Sequence, residues 1–434
     1  MNPQPTCNAA RWLSIVGIGE DGVEGLSQPA RRLIAQAALV VGGARHLELA
    51  ASLISGERLA WPSPLHLAFE RIEARRGEPV VVLASGDPFT YGVGKQLMQR
   101  FGAADMLCVP QPSAFSLAAA RLGWPLQDVA LVTLHGRPLE GIIRHLVPGA
   151  RILALAWDGS TAGKLAALLT SRRMGRSRLT VLEAMGGPQE RVRSAAANVF
   201  DLSDIHPLTT IALEVIGEPD APVIPLTSGL ADDLFEHDGQ LTKRDVRAVT
   251  LSALAPHPGE LLWDVGLGSG SVAIEWLLRH GALRAIGIEA RQDRADRAMR
   301  NALALGAPDL KVVLGRAPAV LADLEPPDAV FIGGGISEPG VFEAAWSRLK
   351  PGGRLVANVI SLEGEARVTE LFGRHGGELI RIAVSRIEPV GRMHGWRQAM
   401  PVTQWRVMKP GLRLGSAAAA TPALMRSRPW WLKP

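Results

Sequence analysis

The stretch Leu261–Ser271 reads LLWDVGLGSGS and decides the fold of the C-terminal half of the chain. An apolar run is followed by three glycines, Gly266, Gly268 and Gly270, and then by the start of an amphipathic segment. Glycines let the backbone approach a ligand closely, and a helix N-terminus offers unpaired N–H groups. The GxGxG spacing differs from the GxGxxG of dinucleotide sites. The stretch therefore predicts a strand, a ligand-binding loop and a helix.

The same alternation of short apolar runs and longer amphipathic segments continues through the whole chain. Runs of this length suit strands that helices bury on both faces, so the pattern predicts an α/β fold. The predicted strands are Leu13–Val16, Val80–Ala84, Met106–Val109, Val129–Leu134, Ile152–Ala156, Leu179–Glu183, Thr210–Val215, Leu261–Val265, Ala285–Ile288, Lys311–Val313, Ala329–Ile332 and Arg354–Val359. The predicted helices are Ala114–Leu122, Ser160–Leu169, Ser271–Arg279, Asp293–Leu305 and Val341–Leu349.

A proline-rich break at residues 218–238, EPDAPVIPLTSGLADDLFEHD, separates two halves of the chain. Such a stretch favours an extended linker, and each half has a suitable size for one α/β domain. We expect a first domain over residues 11–217, a linker over 218–228 and a second domain over 229–410. Residues 411–434 are predicted to form a flexible basic tail.

Composition excludes several classes of protein. Apolar residues make up 47% of the 434 and charged residues 21%, which fits a globular chain rather than a disordered one. Only two cysteines, Cys7 and Cys108, occur, so a disulfide scaffold is excluded, and no Cys/His cluster has zinc spacing. We therefore expect no metal. No run of 18 apolar residues and no signal peptide core are found, so we expect a cytoplasmic enzyme without a membrane partner.

The net charge of +5 comes from the C-terminal end of the chain. Residues 409–434 contain five basic residues and no acid, which leaves 42 basic residues against 42 acidic ones elsewhere. A nucleic-acid-binding protein should carry a basic face on its folded body, so we expect no nucleic-acid partner.

Three further pieces follow the glycine loop in a fixed order. Glu289 ends the next apolar run, where a carboxylate can accept both hydrogen bonds of a ribose diol. GRAP at residues 315–318 follows the third strand, and DAVFIGGG at 328–335 ends the fourth. The set resembles the class I S-adenosylmethionine (SAM) methyltransferases. The alternative is a glycine turn that only packs a helix on a sheet.

The segment LTKRDVRAVTLSAL at residues 241–254 narrows this resemblance. Together with the other pieces it is similar to the precorrin decarboxylase/C15-methyltransferase family, over residues 228–410. The family usually has an acid where this chain has Arg316. The resemblance implies that SAM is bound by Thr242, Gly266, Leu267, Gly268, Ser269, Gly270, Glu289, Gly315 and Ala317.

Basic residues in the same segment are candidates to hold the substrate. Thr242 is predicted to cap a helix that places Lys243 and Arg247 four residues apart on one face. Lys243, Arg244 and Arg247 are therefore candidates for binding the acetate and propionate groups of a tetrapyrrole. The alternative is a solvated charged face. GRMHGWR at residues 391–397 is either a lid over the macrocycle or an ordinary hairpin loop.

The N-terminal half carries a second set of motifs. VGIGEDG at 16–22 matches GxGxxG, but the VVGG at 40–43 lacks the acid that a nicotinamide site needs. LASGDPFTYGVG at 83–94, PQPSAFSLAA at 110–119 and TLHGR at 133–137 complete the set. Over residues 11–217 it resembles the tetrapyrrole (class III) methyltransferases, in particular the precorrin C5-methyltransferases, whose two α/β lobes hold SAM in a cleft.

This second resemblance also implies site residues. Gly17 and Gly19 match the loop beside the substrate, and Gly86, Asp87 and Ser113 match positions that bind SAM. Asp87 has an alternative role, in which it only caps the turn before a proline.

The two resemblances occur together in one known fusion. It implies SAM-dependent methylation of precorrin-6B at C5 and C15 and decarboxylation of the C12 acetate, giving precorrin-8X in cobalamin biosynthesis. It also implies two SAM sites per chain and a homo-oligomer. The alternatives are the cobalt-precorrin form of this step, an RNA methyltransferase and a non-catalytic SAM-binding protein. SAM already carries its leaving group, so no covalent nucleophile is required. A nearby side chain could move a proton during methylation or decarboxylation, but the sequence does not identify it.

Overall fold

The computed structural model describes residues 11–411. Its internal contacts divide the chain into two compact units, with the division between Ile224 and Pro225, inside the proline-rich break. Cys7 and residues 412–434 of the predicted basic tail lie outside the described residues.

The N-terminal unit begins with a parallel five-stranded sheet. Its strands are β1 (Leu13–Ile18), β2 (Leu39–Gly42), β3 (Glu57–Ala60), β4 (Val80–Ser85) and β5 (Met106–Val109). Its helices are α1 (Gly22–Gly25), α2 (Gln28–Gln36), α3 (Ala44–Leu49), α4 (His66–Glu73) and α5 (Gly94–Phe101). The strand order is β3-β2-β4-β1-β5. Every residue of β1 is buried, because helices cover both faces of a parallel sheet.

The second sheet of this unit is mixed. Its strands are β6 (Ala130–Thr133), β7 (Arg151–Leu155), β8 (Arg178–Glu183), β9 (Arg191–Ala196) and β10 (Thr209–Glu214). Helix α6 (Ala114–Leu122) leads into it, and helix α7 (Thr161–Ser171) follows β7. The order is β6-β7-β10-β8-β9, with only β6 and β7 parallel.

The C-terminal unit is built on a seven-stranded sheet. Its strands are β11 (Leu261–Val265), β12 (Arg284–Glu289), β13 (Lys311–Leu314), β14 (Ala329–Ile332), β15 (Arg354–Val359), β16 (Glu378–Ile382) and β19 (Val402–Met408), and β17 (Ser385–Val390) and β18 (Met393–Gln398) form a separate hairpin. Its helices are α8 (Arg244–Leu254), α9 (Ser271–Arg279), α10 (Gln292–Ala304), α11 (Val341–Arg348) and α12 (Leu362–His375).

The strand order of this sheet places several loops on one edge. The order is β13-β12-β11-β14-β15-β19-β16; the first five strands are parallel, and β19 is antiparallel to both of its neighbours. Trp263 and Trp405 are fully buried in its core. Because the carboxyl ends of parallel strands meet at the same edge, the loops after β11, β12, β13 and β14 lie together there.

Two kinds of feature are absent from the described part of the chain. None of the helices within residues 11–411 is long and apolar enough to cross a membrane. The same residues hold no group of three or more His, Cys, Asp or Glu side chains that could bind a metal ion.

Candidate active sites

The glycine loop of the C-terminal unit adopts a backbone that favours glycine. Gly266, Gly268 and Gly270 have φ of +79°, +56° and +79°, in the left-handed region that other residues rarely occupy. A Cβ on Gly266 would lie 3.2 Å from the backbone N of Gly334, at the end of β14. Only glycine lets the two loops approach this closely.

A cavity of about 790 Å³ opens beside this loop. Its walls come from the residues before α8 and the loops after β11, β12, β13 and β14. The structure therefore brings together nine of the predicted cofactor and substrate residues, namely Thr242, Lys243, Gly266, Leu267, Gly268, Ser269, Glu289, Gly315 and Ala317.

Gly270 is predicted to bind the cofactor, but it does not line this cavity. A Cβ on Gly270 would lie 3.1 Å from the Cβ of Ala298 in α10 and 3.3 Å from the Cδ1 of Ile274. Gly270 is the N-cap residue of α9. The lack of a side chain on Gly270 lets α9 pack closely on α10, and cofactor binding by Gly270 stays a prediction.

Glu289 is fixed in place by backbone donors. Its Oε2 accepts from the N–H of Gly268 at 2.9 Å and its Oε1 accepts from the N–H of Arg291 at 3.0 Å. The side chain is buried and lines the cavity. A carboxylate oxygen can accept two hydrogen bonds, so each oxygen keeps one acceptor position. This geometry fits the two hydroxyl groups of a ribose.

Asp264 is a cavity residue that we did not predict as part of the site. Its Oδ2 accepts from the N–H of Ala273 at 3.1 Å, and its buried Oδ1 has no hydrogen-bond partner within the described chain. Burial raises the pKa of Asp264 to about 7; the bond from Ala273 opposes the rise and the charge of Glu289 adds to it. An unpaired buried acceptor fits a ligand with a cationic N–H donor, such as the amino group of SAM.

Arg247 was predicted to hold the substrate, and the structure contradicts this. The side chain is fully buried. Its Nε donates to Oε1 of Glu275 at 2.5 Å, its Nη1 donates to Oδ1 of Asp232 at 3.2 Å, and its Nη2 donates to the carbonyl oxygen of Leu230. With these partners Arg247 anchors the start of the C-terminal unit and is not available to a ligand.

The neighbours of Arg247 also differ from the prediction. Arg244 is exposed and lies outside the cavity lining, so it does not join Lys243 there. The helix begins at Arg244 with Lys243 as its N-cap residue. The predicted cap, Thr242, instead uses its carbonyl oxygen to accept a bond from Nη1 of Arg247. Of the three basic candidates, only Lys243 lines the cavity.

The far wall of the cavity was not predicted from the sequence. Arg386, at the base of the hairpin, lines it and donates to Asp245 in the first turn of α8. Asn358 at the end of β15 also lines it, and its Nδ2 donates to Oγ1 of Thr250 at 2.8 Å. Arg386 and Asp245 are 141 residues apart in sequence, so no local pattern could have shown that they meet.

The segment GRMHGWR at residues 391–397 forms the turn and most of β18 in the β17–β18 hairpin. It is therefore part of an ordinary hairpin, one of the two alternatives. None of its residues lines the cavity.

The predicted residues of the N-terminal unit meet at the carboxyl edge of its first sheet. A Cβ on Gly17 would lie 1.9 Å from the carbonyl oxygen of Gly86, and a Cβ on Gly86 would lie 3.1 Å from the Cα of Ser113. Such close approaches require glycine at both positions. Gly19 follows β1 on the same edge, where a Cβ would lie 2.7 Å from Oδ1 of Asp21.

The side chains of Asp87 and Ser113 make local hydrogen bonds. Asp87 accepts from the N–H of Phe89 and from Oγ1 of Thr90, both at 2.9 Å, which is the turn-capping role given above as the alternative. Ser113 accepts from the N–H of Ser116 at 3.1 Å and caps α6. Binding of SAM by these two residues stays a prediction.

The C-terminal unit has a glycine loop and a carboxylate at the end of its second strand, and both line one cavity. These features define the class of the protein, which is that of the SAM-dependent methyltransferases. Residues 233–409 match the family model of the precorrin methyltransferase domain, and residues 13–198 match that of the tetrapyrrole (corrin/porphyrin) methylases.

Similar proteins define the family within this class. The chain is 57% identical over 394 residues, 91% of its length and 95% of the relative's, to a precorrin-6Y C(5,15)-methyltransferase (decarboxylating) of Sinorhizobium sp. It is 39% identical to the protein of that name from Mycobacterium tuberculosis, covering 91% of this chain and 99% of the relative. The crystal structure of the C-terminal domain of precorrin-6Y C5,15-methyltransferase from Rhodobacter capsulatus is 48% identical, covering 43% of this chain and 100% of that one, with a TM-score of 0.41.

The chain therefore belongs to the family of precorrin-6Y C(5,15)-methyltransferases (decarboxylating). It is a SAM-dependent C-methyltransferase.

Proposed function

We propose that this protein methylates precorrin-6B at C5 and C15 and removes carbon dioxide from its C12 acetate, giving precorrin-8X in cobalamin biosynthesis. The observation that carries this proposal is the presence, in one chain, of both methyltransferase family matches, with similarity to the bifunctional relatives over 91% of the sequence. The alternative of a single-purpose RNA methyltransferase does not explain the tetrapyrrole methylase match.

C15 methylation and decarboxylation are assigned to the C-terminal unit. Decarboxylation is helped by a pocket that strips water from a carboxylate. The cavity beside the glycine loop has partly apolar walls, and Lys243 stands at its rim with no acidic partner found in residues 11–411. We infer that Lys243 holds a side-chain carboxylate of the macrocycle. Gly333–Gly335 line this cavity, and a Cβ on Gly334 would have no atom within 4 Å, so this strand end leaves room for the macrocycle.

C5 methylation is assigned to the N-terminal unit. There Gly17 and Gly86 pack backbone to backbone at the carboxyl edge of the first sheet, and the match of residues 13–198 to the tetrapyrrole methylases supports the assignment. Because the two units have different folds and different motifs, we propose one SAM site in each, two per chain. Gly86, Asp87 and Ser113 are the proposed cofactor residues of the N-terminal site.

SAM supplies a methyl group on a sulfonium, which an electron-rich macrocycle carbon can attack directly. The residues of the chain align that carbon and exclude water. In the C-terminal site, Glu289 would hold the ribose hydroxyls of SAM and Asp264 its amino group, beside the glycine loop. This arrangement needs no covalent enzyme nucleophile.

The test is incubation of the full chain with SAM and precorrin-6B, followed by measurement of product mass. We expect two methyl gains and the loss of one carbon dioxide, and a product with neither change would refute the proposal. A parallel reaction with the cobalt-containing substrate distinguishes the two forms of the step. RNA binding that weakens steeply with salt, without tetrapyrrole turnover, would favour the RNA alternative. SAM binding without any turnover would favour the non-catalytic one.

We also propose a homo-oligomer, supported by the β17–β18 hairpin. Ile387 and Trp396 lie directly opposite each other in its register and are 59% and 74% exposed. Val390 and Met393 form a second exposed apolar pair on this hairpin. A concentration of exposed apolar side chains marks a contact surface, and a second copy of the chain is the partner we propose. The predicted cytoplasmic location stays a prediction.

A further inference from the structure

A polar cluster lies at the carboxyl edge of the first sheet of the N-terminal unit, and the proposed function assigns it no role. It consists of Glu20 after β1, Arg45 and His46 in α3 after β2, and Ser85 at the end of β4, and we name it the edge cluster. Nε2 of His46 lies 2.9 Å from Oγ of Ser85. Nη2 of Arg45 lies 3.0 Å from Nε2 of His46 and 3.1 Å from Oγ of Ser85, and Nη1 of Arg45 pairs with Glu20.

The hydrogen bonds of the edge cluster determine where its protons lie. An arginine can only donate, so Nε2 of His46 is an acceptor and the imidazole proton is on Nδ1. The single lone pair of Nε2 accepts from one donor at a time, and when Arg45 donates to Oγ of Ser85 the hydroxyl proton of Ser85 is directed toward Nε2. Nδ1 of His46 is buried and has no hydrogen-bond partner within the described residues. Burial and the charge of Arg45 lower the pKa of His46 to about 4, so the ring is neutral at pH 7. Ser85 is exposed and keeps one acceptor lone pair.

The edge cluster lies between the predicted substrate loop and the predicted cofactor turn. Ser85 directly precedes Gly86, whose carbonyl oxygen closely approaches Gly17. A Cβ on Gly187, which follows β8 in the second sheet, would lie 2.6 Å from the Cβ of Glu20. The cluster is therefore at the point where the edges of the two sheets of this unit come together. Ser85 pairs with Ile18 in the register of β1 and β4, so a substrate held by the loop after β1 would lie near the hydroxyl of Ser85.

Resting on the proposed function, we propose that Ser85 and His46 accept the proton that the macrocycle loses at the carbon methylated by the N-terminal unit. Ser85 touches the substrate, His46 takes the proton through Ser85, and Arg45 is a positioning residue held by Glu20.

The step balances in atoms and charge. Methylation of a bridge carbon that still carries hydrogen leaves the ring system positively charged. The C–H bond breaks, its electron pair returns to the ring system, and the proton goes to Oγ of Ser85 while the proton of Ser85 passes to Nε2 of His46. The carboxylate of Glu20 offsets the added charge beside Arg45. Because a cationic ring system makes the C–H acidic, a weak base is sufficient.

The experiment uses the full chain with SAM and precorrin-6B and follows the two methyl gains and the carbon dioxide loss over time. We expect Ser85→Ala to leave decarboxylation and the first methyl gain at the wild-type rate and to slow the second methyl gain on the order of 100-fold. Ser85→Thr, which keeps the hydroxyl, should retain most of the rate. His46→Leu should lower kcat of the second methylation without raising KM. Ser171→Ala, which removes an exposed hydroxyl in α7, is the matched control.

Other results would overturn the proposal. A Ser85→Ala protein that adds both methyl groups at the wild-type rate contradicts it. Equal losses in Ser85→Ala and Ser85→Thr, or weaker binding of S-adenosylhomocysteine by Ser85→Ala, would show a structural or cofactor-binding role instead. Absence of the second methyl gain in the wild-type chain refutes the proposed function itself.

Discussion

Asp264 is a single residue whose ionisation should control the stability of the C-terminal unit. Its folded pKa of about 7 lies above the ordinary value near 3.9, because burial disfavours the charged form. Folding therefore favours the protonated acid. Its contribution to stability is fully present below pH about 4 and is lost as pH rises to about 7.

We accordingly predict that Asp264→Asn is more stable than the wild type at pH 8 and that the difference shrinks at pH 5. Asparagine keeps an oxygen that can accept from the N–H of Ala273 and carries no charge to bury. Urea unfolding at the two pH values measures the difference. A wild-type advantage at pH 8 would contradict the assigned pKa.

Glu289 allows the two proposed cofactor sites to be counted. Calorimetry with S-adenosylhomocysteine should show a stoichiometry near two for the wild type and near one for Glu289→Ala. Loss of a carboxylate that accepts two ribose hydroxyls should cost roughly 2–4 kcal/mol of binding free energy at that site. Glu343→Ala, at an exposed ion pair with Arg367, is the matched control. A wild-type stoichiometry near one would end the two-site proposal.

At the scale of elements, Glu275 in α9 joins two parts of the C-terminal unit. Besides Arg247 in α8, it accepts from the N–H groups of Gly229 and Leu230 at 2.7 and 2.8 Å. We predict that Glu275→Ala destabilises this unit by about 3–5 kcal/mol, because Arg247 is left as a buried charge without its main partner. Denaturant unfolding measures the loss. Glu370→Ala removes an exposed acid paired with Arg367 and should change stability by about 1 kcal/mol or less.

The β17–β18 hairpin is the element that should control assembly. Replacing Trp396 by Ser removes the most exposed aromatic side chain of the hairpin, so we predict a lower molar mass in solution at an unchanged melting temperature. Light scattering coupled to size exclusion measures the mass. Trp157→Ser, at another exposed tryptophan, is the matched control. An unchanged mass for Trp396→Ser would remove the hairpin from the interface.

Burial made the pattern of several elements uniform and therefore predictable, although the fully buried β2, LVVG, is not among the predicted strands. The strand β11 has the predicted bounds, since LLWDV is apolar around one acid and ends in glycines. The strands β9 and β17, RVRSAA and SRIEPV, were missed because their charged residues alternate with short apolar ones and resemble loops. The sequence also could not show that Lys243 lines the cavity while Arg247 is buried. The burial of Arg247 depends on its ion pair with Glu275, which is 28 residues away.

The molecule as a whole consists of two compact units, and we predict that each performs its own reaction. A fragment of residues 225–434 should convert precorrin-6B to a decarboxylated product with one added methyl group. A fragment of residues 1–220 should then add the second methyl group to that product. Product masses from the separate and successive incubations show which fragment performs which reaction. Carbon dioxide release by the N-terminal fragment alone would reverse the assignment.

The place of β19 in the C-terminal sheet has a consequence for how the chain is synthesised. This strand, which ends at Met408, lies between β15 and β16, so no shorter nascent chain can complete the sheet. The N-terminal unit has all of its strands by Glu214 and can fold while the ribosome is still translating the rest. The C-terminal unit must wait, with the apolar sides of β15 and β16 uncovered, until β19 has been synthesised. Slowed translation of the segment between β15 and β19 should therefore expose this unit, and not the first, to chaperones and proteases.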